Sequence, residues 1–139
     1  LSVINISEVI PFLNSFRNRG VNMKLLVLVL NKTEKLDELL TEFANRNISG
    51  ATVLESMGMA RLLSHKHDED EIPFLGALRV FLNPEREKSK TIFAAIPDEQ
   101  LTEAVGIIES IVGDLSAHDT GVVFSVPIDY TKGICKIGE

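Results

Sequence analysis

Six apolar residues in unbroken succession, Leu25 to Leu30, follow Met23-Lys24 and stop at Asn31-Lys32. A membrane-spanning helix needs about 20 such residues. A secretory apolar region needs more than this run and a small-residue cleavage site after it, and neither is seen here. The run from Lys24 to Leu30 therefore reads as a strand. Apolar at every position from Leu25 on, it has the pattern of a strand covered on both faces.

The residues after it set out a plan that the chain uses twice. Thr33 is placed to cap a helix in which Leu36, Leu39, Leu40, Phe43 and Asn47 recur at helical spacing. The first four form an apolar face, and Glu34, Asp37, Glu38 and Glu42 point to water. Asn47 to Gly50 ends that helix, and Ala51 to Glu55 makes a second strand ending near Ser56-Met57-Gly58. In the second half, Thr91 to Ile96 is a β-rich run and Pro97-Asp98 opens a helix. Leu101, Ala104, Val105, Ile108, Ile111 and Val112 keep the helical period until Gly113, and Gly121 to Val126 returns as a strand closed by Pro127. This order predicts an α+β fold, a ferredoxin-like split βαβ-βαβ sandwich with a four-stranded antiparallel sheet. Both helices cover one face of the sheet. The other face must be buried by oligomerisation or by a ligand, and its aliphatic character favours oligomerisation.

A length of 139 residues suits one domain with a core large enough to need no disulfide or structural metal. With 6% aromatic residues and no Trp, that core is aliphatic. Two stretches stand outside the plan. In residues 1–22, Val9, Phe12, Leu13 and Phe16 share a helical face after Ser7, with Pro11 in the first turn. This extension is either an amphipathic helix or an over-extended start upstream of Met23. The connection 62–90 is long for so small a domain, and loops of that length are usually functional. Its polar part, Ser64 to Glu71, reads as a mobile tip. Phe74, Leu75, Leu78, Phe81 and Leu82 predict a short helix between Pro73 and Pro84.

Fourteen basic against twenty acidic residues give a net charge of −6, which disfavours a nucleic-acid partner. Cys135 is the only cysteine, so no internal disulfide forms, and a reducing, cytoplasmic setting is expected.

Several clusters invite chemistry. His65 and His67, beside Asp68, Glu69, Asp70 and Glu71, have donors suited to a transition metal, though a loop tip gives them no fixed geometry. Ser116, His118 and Asp119 lie within four residues, whereas a nucleophilic triad is normally assembled from distant segments. They read as a polar turn capping backbone groups. Glu85, Arg86, Glu87, Lys88 and Lys90 read as a solvated charge run. The glycine-bearing turns Gly58-Met59-Ala60-Arg61 and Asp119-Thr120-Gly121 are suited to close approach of a phosphate to backbone N–H groups.

The segment Ile48-Ser49-Gly50-Ala51-Thr52-Val53-Leu54-Glu55-Ser56-Met57-Gly58-Met59-Ala60-Arg61 resembles the Gly-x-Thr-Val-x-Glu-x-x-Gly-x-Gly-Arg strand and exit of the PII signal-transduction family, the nitrogen regulatory proteins. The segment Thr120 to Ile128 is similar to that family's Gly-Asp-Gly-Lys-Ile-Phe-x-x-Pro-Val turn and strand, and the spacing agrees from Met23 to Ile128. The resemblance implies a domain over residues 23–139 with an effector loop at 62–90. It also implies a homotrimer with sheets packed inward and ADP, ATP or another adenine nucleotide in clefts between subunits. Matched position by position, Thr52, Gly58, Met59 and Arg61 fall on the adenosine side and Thr120 and Gly121 on the phosphate side, with Lys136 supplying a cation from the tail. The loop, with His65, His67, Asp68, Glu71, Phe74 and Arg79, would engage a partner protein such as a transporter or an enzyme. No catalytic residue, required cofactor or insertion into a membrane is implied.

The departures are specific. Val122 stands where the family has its phosphate-binding lysine, and Leu62 where it has a glutamine that helps bind magnesium and 2-oxoglutarate. The only tyrosine is Tyr130, so the loop lacks the modifiable one. These changes point to a divergent branch with an altered anionic ligand. Two other readings stay open: a nucleotide-independent metal- or metabolite-binding module using His65 and His67, and a small phosphatase. The latter would need an arginine that the first βα turn, Leu30-Asn31-Lys32-Thr33, lacks.

Overall fold

The computed structural model describes residues 7, 22–67, 74–80 and 88–134. Four strands form one sheet: β1 (Met23–Leu30), β2 (Ala51–Ser56), β3 (Ser89–Pro97) and β4 (Gly121–Ile128). Their spatial order is β2-β3-β1-β4, and every neighbouring pair is antiparallel. Strands β1 and β2 are thus parallel to each other with β3 between them, and β3 and β4 are parallel with β1 between them. This is the ferredoxin-like split βαβ arrangement expected from the element order.

Helices α1 (Leu36–Asn45) and α4 (Leu101–Val112) are the crossovers of the two halves, and they pack on each other. Leu39 and Phe43 of α1, with Ala104, Ile107, Ile108 and Val112 of α4, meet Leu26, Leu28, Leu30, Ile92, Ala94 and Ile96 of the sheet in one buried cluster. The strand residues alternate because a pleated strand sends successive side chains to opposite faces. On the solvent side of the helix pair, Arg46 bridges Glu42 of α1 and Glu103 of α4 at 3.2 and 3.3 Å.

The helix starts differ from the sequence expectation. Thr33 does not cap α1; its N–H donates to the Asn31 carbonyl at 2.9 Å, and Thr33–Lys35 winds as a 3-10 turn leading into the helix. At the other end, Asn47 takes φ 61° and Ile48 N–H reaches back to the Phe43 carbonyl at 2.8 Å. Asn tolerates that left-handed conformation, so α1 stops where the sequence placed the break. The ammonium of Lys32 donates to the Val112 carbonyl at 3.0 Å, satisfying the C-terminal end of α4 beside Gly113 at φ 97°. Strand β4 runs on through Pro127, which an edge strand accepts because no ladder partner is needed on its free side.

The connection between the halves begins as helix. Helix α2 (Met59–Lys66) takes in Ser64, His65 and Lys66, which the sequence marked as part of a mobile polar tip. Met, Ala, Arg, Leu and Lys are strong helix formers, and together they override the local polarity. Helix α3 (Leu75–Val80) realises the short helix expected between Pro73 and Pro84 and packs against α2, with Leu75 fully buried. Asp68 and Glu71, the charge run 85–87, and the apolar positions of the N-terminal extension lie outside the described residues, as does Lys136. No helix among the described residues is long and apolar enough to cross a membrane.

The sheet face away from α1 and α4 is apolar and open. Leu54, Val122, Phe124 and Val126 project from it, each between 44% and 56% exposed. In register, Thr52, Phe93, Val27 and Phe124 form one row across all four strands, with Val27 buried at its centre.

Candidate functional site

At one end of the sheet, β1 and β2 finish and β3 and β4 begin: Leu30 is opposite both Lys90 and Gly121, and Ser56 is opposite Ser89. The two segments that carry the sequence resemblance meet at this end. Arg61, in the first turn of α2, is bonded to Asp119, in the turn before β4. One guanidinium nitrogen, Nη2, donates to Asp119 Oδ1 at 2.8 Å and to Oδ2 at 2.7 Å. The side chains are only 8% and 7% exposed.

This contact fixes the path of the chain. Strands β2 and β4 are the two opposite edges, separated by roughly 14 Å, or three inter-strand spacings. Arg61 follows Ser56 by five residues, and its side chain reaches the turn that leads into β4. The buried pair holds it there. Removing one member of such a pair costs about 3–5 kcal/mol, because the other charge is left buried and uncompensated.

The turn is positioned with equal care. Asp119 sits at φ 55°, a conformation that Asp adopts more readily than most residues. Thr120, buried, offers its carbonyl to two donors from the β1 exit, Asn31 N–H at 3.0 Å and Lys32 N–H at 3.2 Å. Gly121 comes next, and a Cβ there would stand 2.8 Å from the Val29 carbonyl oxygen. Only glycine lets β4 start this close to β1. Ser116 donates from both its N–H and its hydroxyl to Asp114, which holds that carboxyl below the usual aspartate range. Of the three polar residues Ser116, His118 and Asp119, Ser116 is engaged by Asp114 and Asp119 by Arg61.

On the other side of the connection, Gly58 occupies the N-cap of α2 with extended backbone (φ −69°, ψ 155°) and no side-chain cap. A helix start without a capping side chain, followed within the first turn by an arginine, suits an anion. A hydroxyl cluster lies beside it, at the β2 exit. Ser56 Oγ is 2.8 Å from Ser89 Oγ and 2.7 Å from Thr91 Oγ1, and Ser89 also donates to the Ser56 carbonyl at 3.1 Å.

Of the residues marked out in the sequence, Gly58, Arg61, Thr120 and Gly121 share this end of the molecule. Met59 is beside them and strongly exposed. Thr52 is not brought to them by its own chain; it lies four residues back along β2, on the open sheet face. His67 closes α2, its N–H donating to the Leu63 carbonyl at 2.9 Å. His65 lies in α2 and Arg79 in α3, while Phe74, just before α3, is 76% exposed. No group of three or more metal-type ligands comes together among the described residues. Asp119 is the residue the sequence reading undervalued. Its place in a glycine-bearing turn was legible, but its partner lies 58 positions away.

No protein-family model matches the chain, and no curated protein matches it. Among solved structures, 110 chains match it in fold. One is a functionally unknown protein from Pediococcus pentosaceus ATCC 25745, with a TM-score of 0.55 and 14% sequence identity. That match covers 83% of this chain and 100% of the other. The chain is therefore similar to these proteins in fold, a ferredoxin-like α+β sandwich, and the function rests on the site itself.

Proposed function

We propose that the protein is a PII-like regulatory module, not an enzyme. It senses a small anionic ligand, an adenine nucleotide, and signals to a partner protein through the connection 62–90. One observation carries the reading: the Arg61–Asp119 contact joins the Gly58–Arg61 exit of β2 to the Asp119–Gly121 turn. The two segments that resemble a nucleotide site thereby form one polar end of the sheet. Arg61 supplies the cation that Val122 does not, and the uncapped start of α2 and the Gly121 turn supply backbone N–H groups. A helix that begins at the ligand and leads into the connection gives the ligand a lever on that connection. The ligand must bind two states of the connection unequally for any signal to pass.

The open sheet face supports the oligomeric part of the reading. Three copies packing those faces inward would bury Leu54, Val122, Phe124 and Val126 and bring Thr52 of one copy toward a neighbour's site. Lys136 in the tail and the loop residues His65, His67, Asp68, Glu71, Phe74 and Arg79 would complete the ligand and partner contacts.

The test is calorimetric titration with ADP, ATP, AMP and cyclic dinucleotides, together with light scattering for mass. Saturable binding of one adenine nucleotide is expected, with a mass three times the 15.3 kDa of one chain. Absence of ligand-specific heat with all four classes would remove the nucleotide reading.

A further inference from the structure

Arg61 is already occupied, and what occupies it is part of the chain. The Asp119 carboxylate places both oxygens within 2.8 Å of one guanidinium nitrogen, in a setting from which water is nearly excluded. An anionic ligand that uses Arg61 must take the place of this carboxylate or share the cation with it. Asp119 is held at its post by the Thr120 carbonyl, which two backbone donors fix, and by the close approach at Gly121. A group so tethered competes at a high effective concentration, because its translational freedom is already lost.

We propose that Asp119 is the specificity-determining residue of this site. Its carboxylate is a built-in competitor for Arg61, displaced by the multiply charged phosphate chain of a nucleoside di- or triphosphate and not by a monocarboxylate. The inference rests on the nucleotide reading above and adds the selection rule. A ligand monocarboxylate offers Arg61 the same chemistry that Asp119 offers, while bearing the full cost of association. A polyphosphate brings more charge and more acceptor oxygens, and charge-assisted bonds to guanidinium are the strong ones. It also reaches the uncapped start of α2, where its charge is favoured. The exchange carries a message, since the Asp119 carboxylate ties α2 to the turn before β4. Once a ligand takes over Arg61, the tether between α2 and the β4 turn is cut and the connection follows the ligand.

The experiment is titration of the full chain, Asp119→Asn and Asp119→Glu with ADP and with acetate. Asp119→Asn keeps the shape of the side chain and removes its charge, so ADP affinity is expected to rise by about tenfold or more. Asp119→Glu keeps the competing charge and gains nothing comparable. Acetate is expected to be ignored by the parent chain. If the parent binds ADP and Asp119→Asn binds it equally or more weakly, Asp119 is a structural buttress, and this inference falls while the nucleotide reading stands. If neither the parent nor either variant binds ADP, the nucleotide reading falls and takes the inference with it. A measurement on the parent chain guards against a variant that fails to fold. The side-chain carboxyl resonance of Asp119 should move as ADP saturates the site, and an unmoved resonance at saturation overturns the exchange.

Discussion

A side chain at position 121 would set its Cβ 2.8 Å from the Val29 carbonyl oxygen, and that oxygen belongs to the central strand, so it cannot swing aside. Gly121→Ala is therefore expected to destabilise the fold by about 1–3 kcal/mol, the usual range for forced overpacking. Chemical denaturation of the variant measures this, and an unchanged midpoint would show that the turn can shift at no cost. The same substitution should loosen Asp119, two residues upstream, because the turn that aims its carboxylate starts from this close approach. Position 121 was legible in the sequence as a glycine turn before a β-rich run. The Arg61–Asp119 pair was not. Local pattern specifies that Arg61 follows a strand and that Asp119 precedes one, but whether they meet depends on strand order and on where the chain runs after β2.

Among the elements, those with a strong apolar period were the most readable. Helices α1 and α4 appear with the expected faces inward, since Leu39, Phe43, Ala104 and Ile108 have no other way to leave water. Ends were less readable. Thr33 lost its capping role to a 3-10 turn, and α2 extended into residues whose charge suggested a loop. Strand β2 shows how an edge is held by more than its backbone. Glu55 lies opposite Lys90 and bonds to it at 3.1 Å, with Lys88 at 3.4 Å. Lys90 first and then Lys88 hold the Glu55 carboxyl below its ordinary value of 4.5. A carboxyl pulled down in the folded state contributes stability that is present above its unfolded value and lost as pH falls through the folded one. Acid should thus weaken the β2–β3 edge only below the ordinary glutamate range. Carbon-detected titration of Glu55 by NMR, repeated in Lys90→Met, checks this: the variant's midpoint should rise toward 4.5. No movement would show that the ion pair is not populated in solution.

For the molecule as a whole, the fold follows from a pattern used twice, and the unresolved chemistry follows from what the pattern leaves uncovered. Helices protect one sheet face; the other keeps Leu54, Val122, Phe124 and Val126 at its surface. An exposed apolar face of this kind is a common feature of interaction surfaces. If copies of the chain cover it, a charge at its centre must oppose assembly. Phe124→Glu is expected to reduce the mass seen by light scattering to the 15.3 kDa of one chain, with the secondary structure kept. A mass unchanged from the parent would place the contact elsewhere. The sequence disclosed that this face exists, through the element order and the Val, Ile, Leu and Phe residues on both faces of the strands. It could not disclose how many copies would share it, because number depends on the angle at which faces meet.

The interleaving of the strands has a consequence for how the chain could be divided. Strand β3, from the second half, fills the gap between β1 and β2, and β1, from the first half, fills the gap between β3 and β4. Neither half therefore owns a sheet; each is a template with a strand-wide slot that only the other fits. Residues 1–70 and 71–139, made as separate polypeptides, are expected to lack sheet structure alone and to regain it on mixing in a 1:1 complex. The covalent link between the halves would then matter little for the architecture, leaving that stretch of chain at liberty to diverge without endangering the fold.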